Sequence, residues 1–396
     1  MTNTHLEDLR VAIVYRMDHP GGVQSVALAC IRGLNKLGIV PDILWDIPPN
    51  EKILTDANCK ANFEKLNFRV STAFIDRMPN SIRYLLWIFN CIKEKELNKR
   101  YDFYYIFFNG FLISSQVSHL RYLSGSPLLP QLKNPPSGWR GLPIKIFEWL
   151  YNHLLNKSYP IYEYHRDNYY VINSKYTAEL FEEAHKYMLP VIYPPINIRD
   201  RVYEKGDLKN RGLITFFSRI VDYKRPDLIL DLAEKYPQHK FLIMGAVPSH
   251  RIPFLDSLKS DALSRKIYNI DFLPNPSDEE VRSILSKTKI YIFPAKNEHF
   301  GMTTVEAIAS GAIPFVHNSG GQKEIVNLEN LRFNYDQISE KFDLLINKKT
   351  FELEEIRDLL SKHIDQFTED VSVGKMLSYL KLNCSKNSFE INLEQK

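Results

Sequence analysis

Two basic residues and two glutamates in the second half of the sequence have the types and spacing to bind a phosphorylated, hydroxyl-rich molecule. Arg219 and Lys224 are five residues apart and stand just before a helix that is predicted to begin near Pro226. Arginine can grip a phosphate with two parallel hydrogen bonds, and lysine supplies a point charge. Glu298 and Glu306 are eight residues apart, one in a loop and one in the next helix, so they can reach opposite ends of one ligand. Each pair taken alone is also typical of a solvated surface.

The segment between the two glutamates is suited to a phosphate group. Phe300, Gly301 and Met302 precede a helix whose first turn holds Thr303. The first N–H groups of a helix have no intrahelical partner, so they attract anions. Gly301 has no side chain, which lets a ligand approach the backbone closely.

Strands and helices alternate regularly around these residues. Strands are predicted at 213–217, 241–244, 267–272, 290–293 and 313–316, and helices near Pro226, His250, Asp278 and Thr303. This alternation predicts a doubly wound parallel sheet. Because ligands bind beyond the carboxyl ends of parallel strands, the basic pair, the glutamate loop and the strand end at Gly245 are expected at one edge of this sheet.

The beginning of the sequence also predicts alternating strands and helices. The apolar run 11–15 predicts a buried parallel strand, and Gly21 and Gly22 form a turn before a helix that stops at Gly38. A strand at 43–45 completes a βαβ unit.

The polar segment 199–211 is interpreted as a linker between two domains. We therefore expect an N-terminal domain over 1–200, a C-terminal domain over 201–375, and a C-terminal helix and tail over 376–396.

The composition agrees with two α/β domains. The chain has 396 residues, 44% hydrophobic and 25% charged, which is long for a single core. The net charge of +4 suits an anionic small molecule or membrane surface and is too small to indicate nucleic acid. The four cysteines show no C-x-x-C spacing, which favours a reducing compartment. With neither a signal-peptide core nor a membrane-spanning stretch in the sequence, we expect a cytoplasmic protein.

Two basic, aromatic stretches are candidates for peripheral contact with a membrane. Residues 81–100 and 133–157 each carry a net charge of +3, and both contain tryptophan and leucine. Such stretches suit an interfacial helix on anionic lipid. The alternative is that the aromatic residues form ordinary core and the lysines an ordinary solvated face.

The order of these motifs resembles that of family-4 glycosyltransferases. Glu298 to Glu306 resembles the family's E-x7-E region, and Arg219 and Lys224 match its paired basic residues. The other matching segments are 307–311, 317–321, 272–274 before the acidic helix, and the N-terminal glycine turn. The sequence around His299 and His317 is most similar to that of dolichol-linked oligosaccharide mannosyltransferases and archaeal relatives. The resemblance is strong over 213–326, moderate over 11–38 and nearly absent over 42–168.

The resemblance implies a fold and a set of roles. The expected fold is α/β of the GT-B type, with two Rossmann-like doubly wound domains facing a central cleft. The N-terminal domain is expected to bind the acceptor and the C-terminal domain the nucleotide-sugar. In such enzymes the basic pair neutralises the donor diphosphate, the first glutamate binds sugar hydroxyls and the second binds the ribose. The expected donor-binding residues are Gly21, Gly22, Gly245, Leu273, Phe300, Gly301, Met302, Thr303 and Glu306.

The resemblance also implies a reaction that needs no metal. The chain contains no Asp-x-Asp and no His, Cys or carboxylate cluster with metal-ligand spacing, so neither metal nor cofactor is expected. The donor, a UDP- or GDP-hexose, is a substrate. No carboxylate nucleophile is evident, and the family is thought to react on one face of the sugar, with the leaving phosphate helping to deprotonate the acceptor.

The N-terminal domain departs from the family pattern. Relatives often carry a histidine in a Tyr-x-His-x-Pro-like setting, but the comparable segment here, 121–127, has none. His119 is close but out of register. It is a candidate for contact with donor or acceptor, with a surface or packing histidine as the alternative.

These observations predict a retaining glycosyltransferase that moves a hexose from a nucleotide-sugar to a glycan or lipid-linked glycan acceptor. Two alternatives stay open, a nucleotide-sugar epimerase and a non-catalytic subunit that scaffolds a partner transferase. The E-x7-E region argues against the epimerase. The presence of all four residues, Arg219, Lys224, Glu298 and Glu306, argues against a scaffold.

Overall fold

The computed structural model describes residues 8–17, 21–66, 70–75, 77–78, 100–107, 118–124, 168–185, 188–196, 198, 203 and 206–394. The chain divides into two compact units. The first unit comprises residues 1–173, 177–195 and 370–396, and the second comprises 174–176 and 196–369.

The first unit is built on a parallel six-stranded sheet in the order β3-β2-β1-β4-β5-β6. Its strands are β1 (Val11–Val14), β2 (Asp42–Trp45), β3 (Asn62–Lys65), β4 (Phe103–Ile106), β5 (His119–Leu123) and β6 (Asn168–Ile172). The accompanying helices are α1 (Gly22–Lys36), α2 (Glu51–Asp56), α3 (Thr72–Ile75) and, from Thr177 onward, α4 (Lys175–His185), whose first two residues belong to the second unit. All four residues of β1 and of β4 are buried, as expected for central strands of a sheet covered on both faces.

The second unit repeats this plan with a parallel sheet in the order β12-β11-β10-β7-β8-β9. Its strands are β7 (Leu213–Phe217), β8 (Lys240–Gly245), β9 (Ile270–Pro274), β10 (Thr288–Phe293), β11 (Ile313–His317) and β12 (Arg332–Phe333). Its helices are α5 (Asp227–Lys235), α6 (Ile252–Ser264), α7 (Asp278–Leu285), α8 (Met302–Ala309), α9 (Gln322–Ile325), α10 (Ile338–Ile346) and α11 (Thr350–His363). The doubly wound prediction is confirmed.

In each sheet the order in which the chain adds strands reverses at one place. In the second sheet the chain builds outward from β7 through β8 to β9, then returns to place β10 on the other side of β7. Loops that leave β7 and β10 therefore diverge to opposite faces of the sheet. The gap between them is the topological switch point at which doubly wound sheets bind ligands.

The segment predicted to be a linker is partly built into the second unit. A short 3-10 helix, Asp207–Asn210, buries Leu208 completely. Arg211 is also buried, and its guanidinium donates to the carbonyl oxygen of Ser310 at 2.7 Å and to Asp207 at 2.7 Å. The linker interpretation is wrong for this part, because the polar residues that indicated solvent exposure satisfy one another and the backbone.

The final helix, α12 (Glu369–Glu394), belongs to the first unit from Asp370 onward. Met376 and Leu380 enter the core formed with α1 and the first sheet. Gly33 of α1 allows close contact, since a Cβ there would lie 2.2 Å from Cγ1 of Val373. The first unit is therefore formed by segments that precede the second unit in the sequence and by one that follows it.

The basic, aromatic stretches 81–99 and 133–157 lie outside the described residues. Within the described part of the chain, every helix is too short or too polar to cross a membrane.

Candidate active site

An ion pair joins the two loops at the switch point of the second sheet. Lys224 ends a 3-10 turn after β7, Glu298 lies in the loop after β10, and Nζ of Lys224 donates to Oε2 of Glu298. The two side chains are only 10% and 21% exposed. Nζ also lies 5.2 Å from the ring centre of Phe293 at the end of β10. Two residues that are far apart in sequence are therefore in contact where the fold is expected to bind a ligand.

Helix α8 begins four residues beyond Glu298 and provides the N–H groups predicted for a phosphate. Gly301 precedes the helix with φ 114, a conformation that favours glycine. A Cβ at this position would lie 2.4 Å from Nε2 of the buried Gln322, whose Oε1 accepts from Thr304 at 2.8 Å. Gly301 is therefore required by the packing beneath it as well as by the turn.

The second glycine turn packs directly against the backbone of the glutamate loop. A Cβ on Gly320 would lie 2.4 Å from the carbonyl oxygen of Glu298, and one on Gly321 would lie 2.4 Å from that of His299. Gly320 also has φ 69. Glycine at these two positions lets the loop after β11 lie close against the loop after β10.

Glu306 lies half-buried on α8 and carries a raised pKa. Burial, followed by the nearby charge of Asp278, raises the pKa of Glu306 to about 7. On the same helix, the hydroxyl of Thr303 lies 2.8 Å from that of Tyr291. The carboxyl group is therefore partly protonated near neutral pH, and it can both donate to and accept from a hydroxyl-bearing ligand.

Gly245 ends β8 beside the loop that carries the basic pair. Its φ of 147 suits glycine, and a Cβ would lie 1.7 Å from the carbonyl oxygen of Ser218. Leu273 lies half-buried at the same end of the neighbouring strand β9. Strand β9 itself begins at Ile270, three residues later than predicted, because the N–H of Ile267 still bonds to Ala262 of the preceding helix.

The carboxyl edge of the second sheet thus brings together most of the predicted donor-site residues. Lys224 is buried there, whereas Arg219 on the same loop is exposed. The other predicted residues that belong to the second unit are Gly245, Leu273, Glu298, Phe300, Gly301, Met302, Thr303 and Glu306. The roles assigned to them stay predictions.

Three predicted residues belong to the first unit. Gly21 and Gly22 lie at the start of α1 and are exposed. His119 begins β5, a strand that the sequence did not predict because its polar residues interrupt the apolar run. The ring of His119 is fully buried and edge-on to that of Tyr170 at 5.6 Å between centroids.

The structure also shows contacts that sequence reasoning missed. The hydroxyl of Ser174 donates to the carbonyl oxygen of His299 at 2.5 Å. The carboxylate of Glu324 accepts from the N–H groups of Lys175 and Tyr176 at 3.0 and 2.9 Å. These partners are more than a hundred residues apart, so no local pattern pairs them.

Comparison with known proteins agrees with this geometry. Residues 199–362, which include the switch-point ion pair and α8, match the family model "Glycosyl transferases group 1". Over these residues the chain is similar to group 1 glycosyltransferases. The matched segment covers the sheet whose carboxyl edge was described above.

The curated proteins that this chain is similar to include mannosyltransferases. One is a GDP-Man:Man(3)GlcNAc(2)-PP-Dol alpha-1,2-mannosyltransferase of Dictyostelium discoideum, 27% identical over 53% of this chain and 46% of the relative. Another is a lipopolysaccharide core biosynthesis mannosyltransferase of Rhizobium leguminosarum bv. viciae, 29% identical over 35% of this chain and 40% of the relative. The chain spans about half the length of the curated relatives that it matches.

Solved structures extend the likeness to nearly the whole chain. Anabaena HepE, in complex with UDP and glucose, has a TM-score of 0.67 at 14% identity, over 94% of this chain and 99% of that one. A sucrose-phosphate synthase from Thermosynechococcus elongatus has a TM-score of 0.69 at 11% identity, over 94% and 98%. At these identities the likeness shows the fold, and the protein has the GT-B fold with two Rossmann-like domains.

Proposed function

We propose that the protein is a retaining glycosyltransferase that moves a hexose from a nucleotide-sugar to a glycan or lipid-linked glycan acceptor. The observation that carries the proposal is the ion pair between Lys224 and Glu298 at the switch point, next to the N-terminus of α8. A cation, a carboxylate and free backbone N–H groups at one place match the parts of a hexosyl diphosphate. The mannosyltransferase relatives and the UDP and glucose bound to HepE support the same class of donor.

The site supplies what the departure of a nucleoside diphosphate requires. As the bond between C1 of the sugar and the phosphate oxygen breaks, negative charge develops on the diphosphate. The ammonium group of Lys224, the guanidinium of exposed Arg219 and the N–H groups of Met302 and Thr303 stabilise this charge. These groups perform the task usually given to a divalent metal, so we propose that the reaction is metal-independent.

Glu298 binds the sugar hydroxyls in this proposal. Its partner Lys224 is shared with the diphosphate, so the ion pair lies beside the bond that breaks. The acceptor hydroxyl attacks C1 from the face that the phosphate leaves. The new bond between C1 and the acceptor oxygen forms on the face where the bond to phosphate breaks, so the configuration at C1 is retained, and the acceptor's proton passes to the departing phosphate oxygen.

Calorimetric titration tests the donor site. We expect one of UDP, GDP and ADP, or its hexose conjugate, to bind tightly, equally with and without EDTA. Glu306→Ala should weaken that binding at least tenfold, because it removes the expected partner of the ribose. Binding that requires a divalent metal would contradict the mechanism, and binding of none of the nucleotides would favour a scaffold.

Glu298→Ala separates an enzyme from a scaffold. A scaffold keeps its cellular role after this change, whereas a transferase loses product formation. An epimerase would release a free nucleotide-sugar of altered configuration, which chromatography of the products detects.

We also propose that the protein lies on the cytoplasmic face of a membrane and binds it peripherally. The net positive charge of +3 in each of the stretches 81–100 and 133–157 supports this location. Co-sedimentation with anionic vesicles at low salt is expected, with neutral vesicles as the control. If the protein did not sediment with anionic vesicles, the proposal of peripheral membrane binding would be overturned.

A further inference from the structure

The loop after β11 holds the backbone on both sides of Glu298. The hydroxyl oxygen of Ser319 accepts a hydrogen bond from the N–H of Asn297 at 2.8 Å. The N–H of Gly321 donates to the carbonyl oxygen of Glu298 at 2.8 Å. Asn297 has φ 55, a left-handed conformation that asparagine tolerates better than most residues. The two bonds fix the turn from which the Glu298 side chain departs.

His317 in turn fixes Ser319. Its Nδ1 lies 2.9 Å from the serine hydroxyl oxygen. The imidazole is only 4% exposed and meets the rings of Phe333 and Tyr335 edge-on, with centroids 5.9 and 4.6 Å away. A ring enclosed in this way has little rotational freedom, so Nδ1 presents a fixed direction to the hydroxyl.

The two contacts form a chain from the core to the sugar-binding carboxylate. His317 ends strand β11, Ser319 follows it, and Asn297 precedes Glu298. Glu306 and the N–H groups of α8 are not part of this chain. The nucleoside end and the sugar end of the donor site are therefore held by different sets of contacts.

We propose that His317 and Ser319 are positioning residues that direct the carboxylate of Glu298 towards the hexose of the donor. The inference rests on the proposed function and names residues that determine affinity for the sugar. Loss of the Ser319 hydroxyl frees the N–H of Asn297 and lets the turn relax. The affinity for a nucleoside diphosphate without sugar stays as it was.

Calorimetric titrations of UDP, UDP-glucose, GDP and GDP-mannose test the proposal. For the nucleotide pair that the wild-type protein binds, Ser319→Ala should weaken nucleotide-sugar binding about tenfold, as for one lost hydrogen bond to a constrained group. Binding of the free nucleoside diphosphate should not change. Ser319→Thr keeps the hydroxyl and should restore the affinity, and His317→Leu should behave like the alanine variant.

Ser310→Ala is the matched control. Ser310 directly follows α8 and is also half-buried, and its hydroxyl donates to the backbone carbonyl oxygen of Glu306 at 3.0 Å. This variant should bind both ligands as the wild type does. Equal weakening of nucleotide and nucleotide-sugar in Ser319→Ala would show a general structural role and overturn the proposal, as would unchanged binding of both.

Amide hydrogen exchange provides a measurement that needs no ligand. In Ser319→Ala the peptide covering 294–300 should exchange faster than in the wild type, and in Ser319→Thr it should not. Unchanged exchange in the alanine variant overturns the positioning role. A wild-type protein that binds no nucleotide overturns the proposed function instead, while exchange still decides whether Ser319 holds the loop.

Discussion

Glu306 and His317 have pKa shifts in opposite directions for the same reason. Burial disfavours the charged form of each, so it raises the pKa of the carboxyl group to about 7 and lowers that of the imidazole to about 4. Asp278 adds to the first shift and Lys296 to the second. Glu306 therefore costs stability when it ionises in the folded protein, and His317 costs stability when it is protonated.

Replacement of Glu306 by glutamine should stabilise the protein above neutral pH. Between pH 4.5 and 7 the folded state holds a proton on Glu306 that the unfolded state has lost, so this group makes stability fall as pH rises. The shift corresponds to at most about 3 kcal/mol. Urea unfolding of both proteins at pH 5 and pH 8 measures this effect. The free energy of unfolding of Glu306→Gln should exceed that of the wild type by more at pH 8 than at pH 5.

The quantity to compare is the difference in the free energy of unfolding between Glu306→Gln and wild type at each pH. The stability of either protein alone is less informative, because His317 changes it in the opposite direction over nearly the same pH range. Its lowered pKa makes stability rise from pH 4 to 6.5. Equal stability of wild type and variant at both pH values would contradict the raised pKa of Glu306.

At the scale of elements, apolar strands could be predicted well and polar ones could not. Strand β7 has the predicted bounds, because a continuous apolar run between polar residues defines it. Strand β5 was missed because His119 and Arg121 lie inside it, although both are buried. The partners of Arg211, and those of Ser319, come from other elements, so only the folded chain reveals them.

The contact between α1 and α12 should depend on Gly33. Gly33→Ala places a methyl group where Cγ1 of Val373 lies, and overpacking of this kind costs about 1–3 kcal/mol. Val373→Ala in the same protein should recover part of that loss. Gly374→Ala is the control, because a Cβ there meets no described atom within 4 Å. Chemical unfolding measures the stability of the wild type, the two single variants and the double variant. If Gly33→Ala had the same free energy of unfolding as the wild type, the close packing of α1 against α12 would be contradicted.

At the scale of the whole molecule, each unit has its own sheet and core, and their unfolding can be followed separately. All four tryptophans stand within residues 1–173, and Trp45 is buried in the first unit. Tryptophan fluorescence therefore reports on the first unit, whereas far-ultraviolet circular dichroism reports on both.

A nucleoside diphosphate should stabilise the second unit preferentially. At a concentration one hundred times its Kd, it adds about 2.7 kcal/mol to the unit that binds it. Thermal unfolding followed by circular dichroism should then include a component that moves to higher temperature, while the fluorescence transition moves less. A shift of the fluorescence transition alone would place the nucleotide in the first unit.

The return of α12 to the first unit has a consequence for the order of events at the ribosome. The second unit is formed almost entirely by one uninterrupted stretch, 196–369, so it has all its strands as soon as that stretch has left the exit tunnel. The first unit has its strands much earlier, but it lacks Met376 and Leu380 until translation has passed them. The part of the protein that is synthesised first is therefore the part that is completed last, and until then its nascent chain exposes the apolar surface of α1.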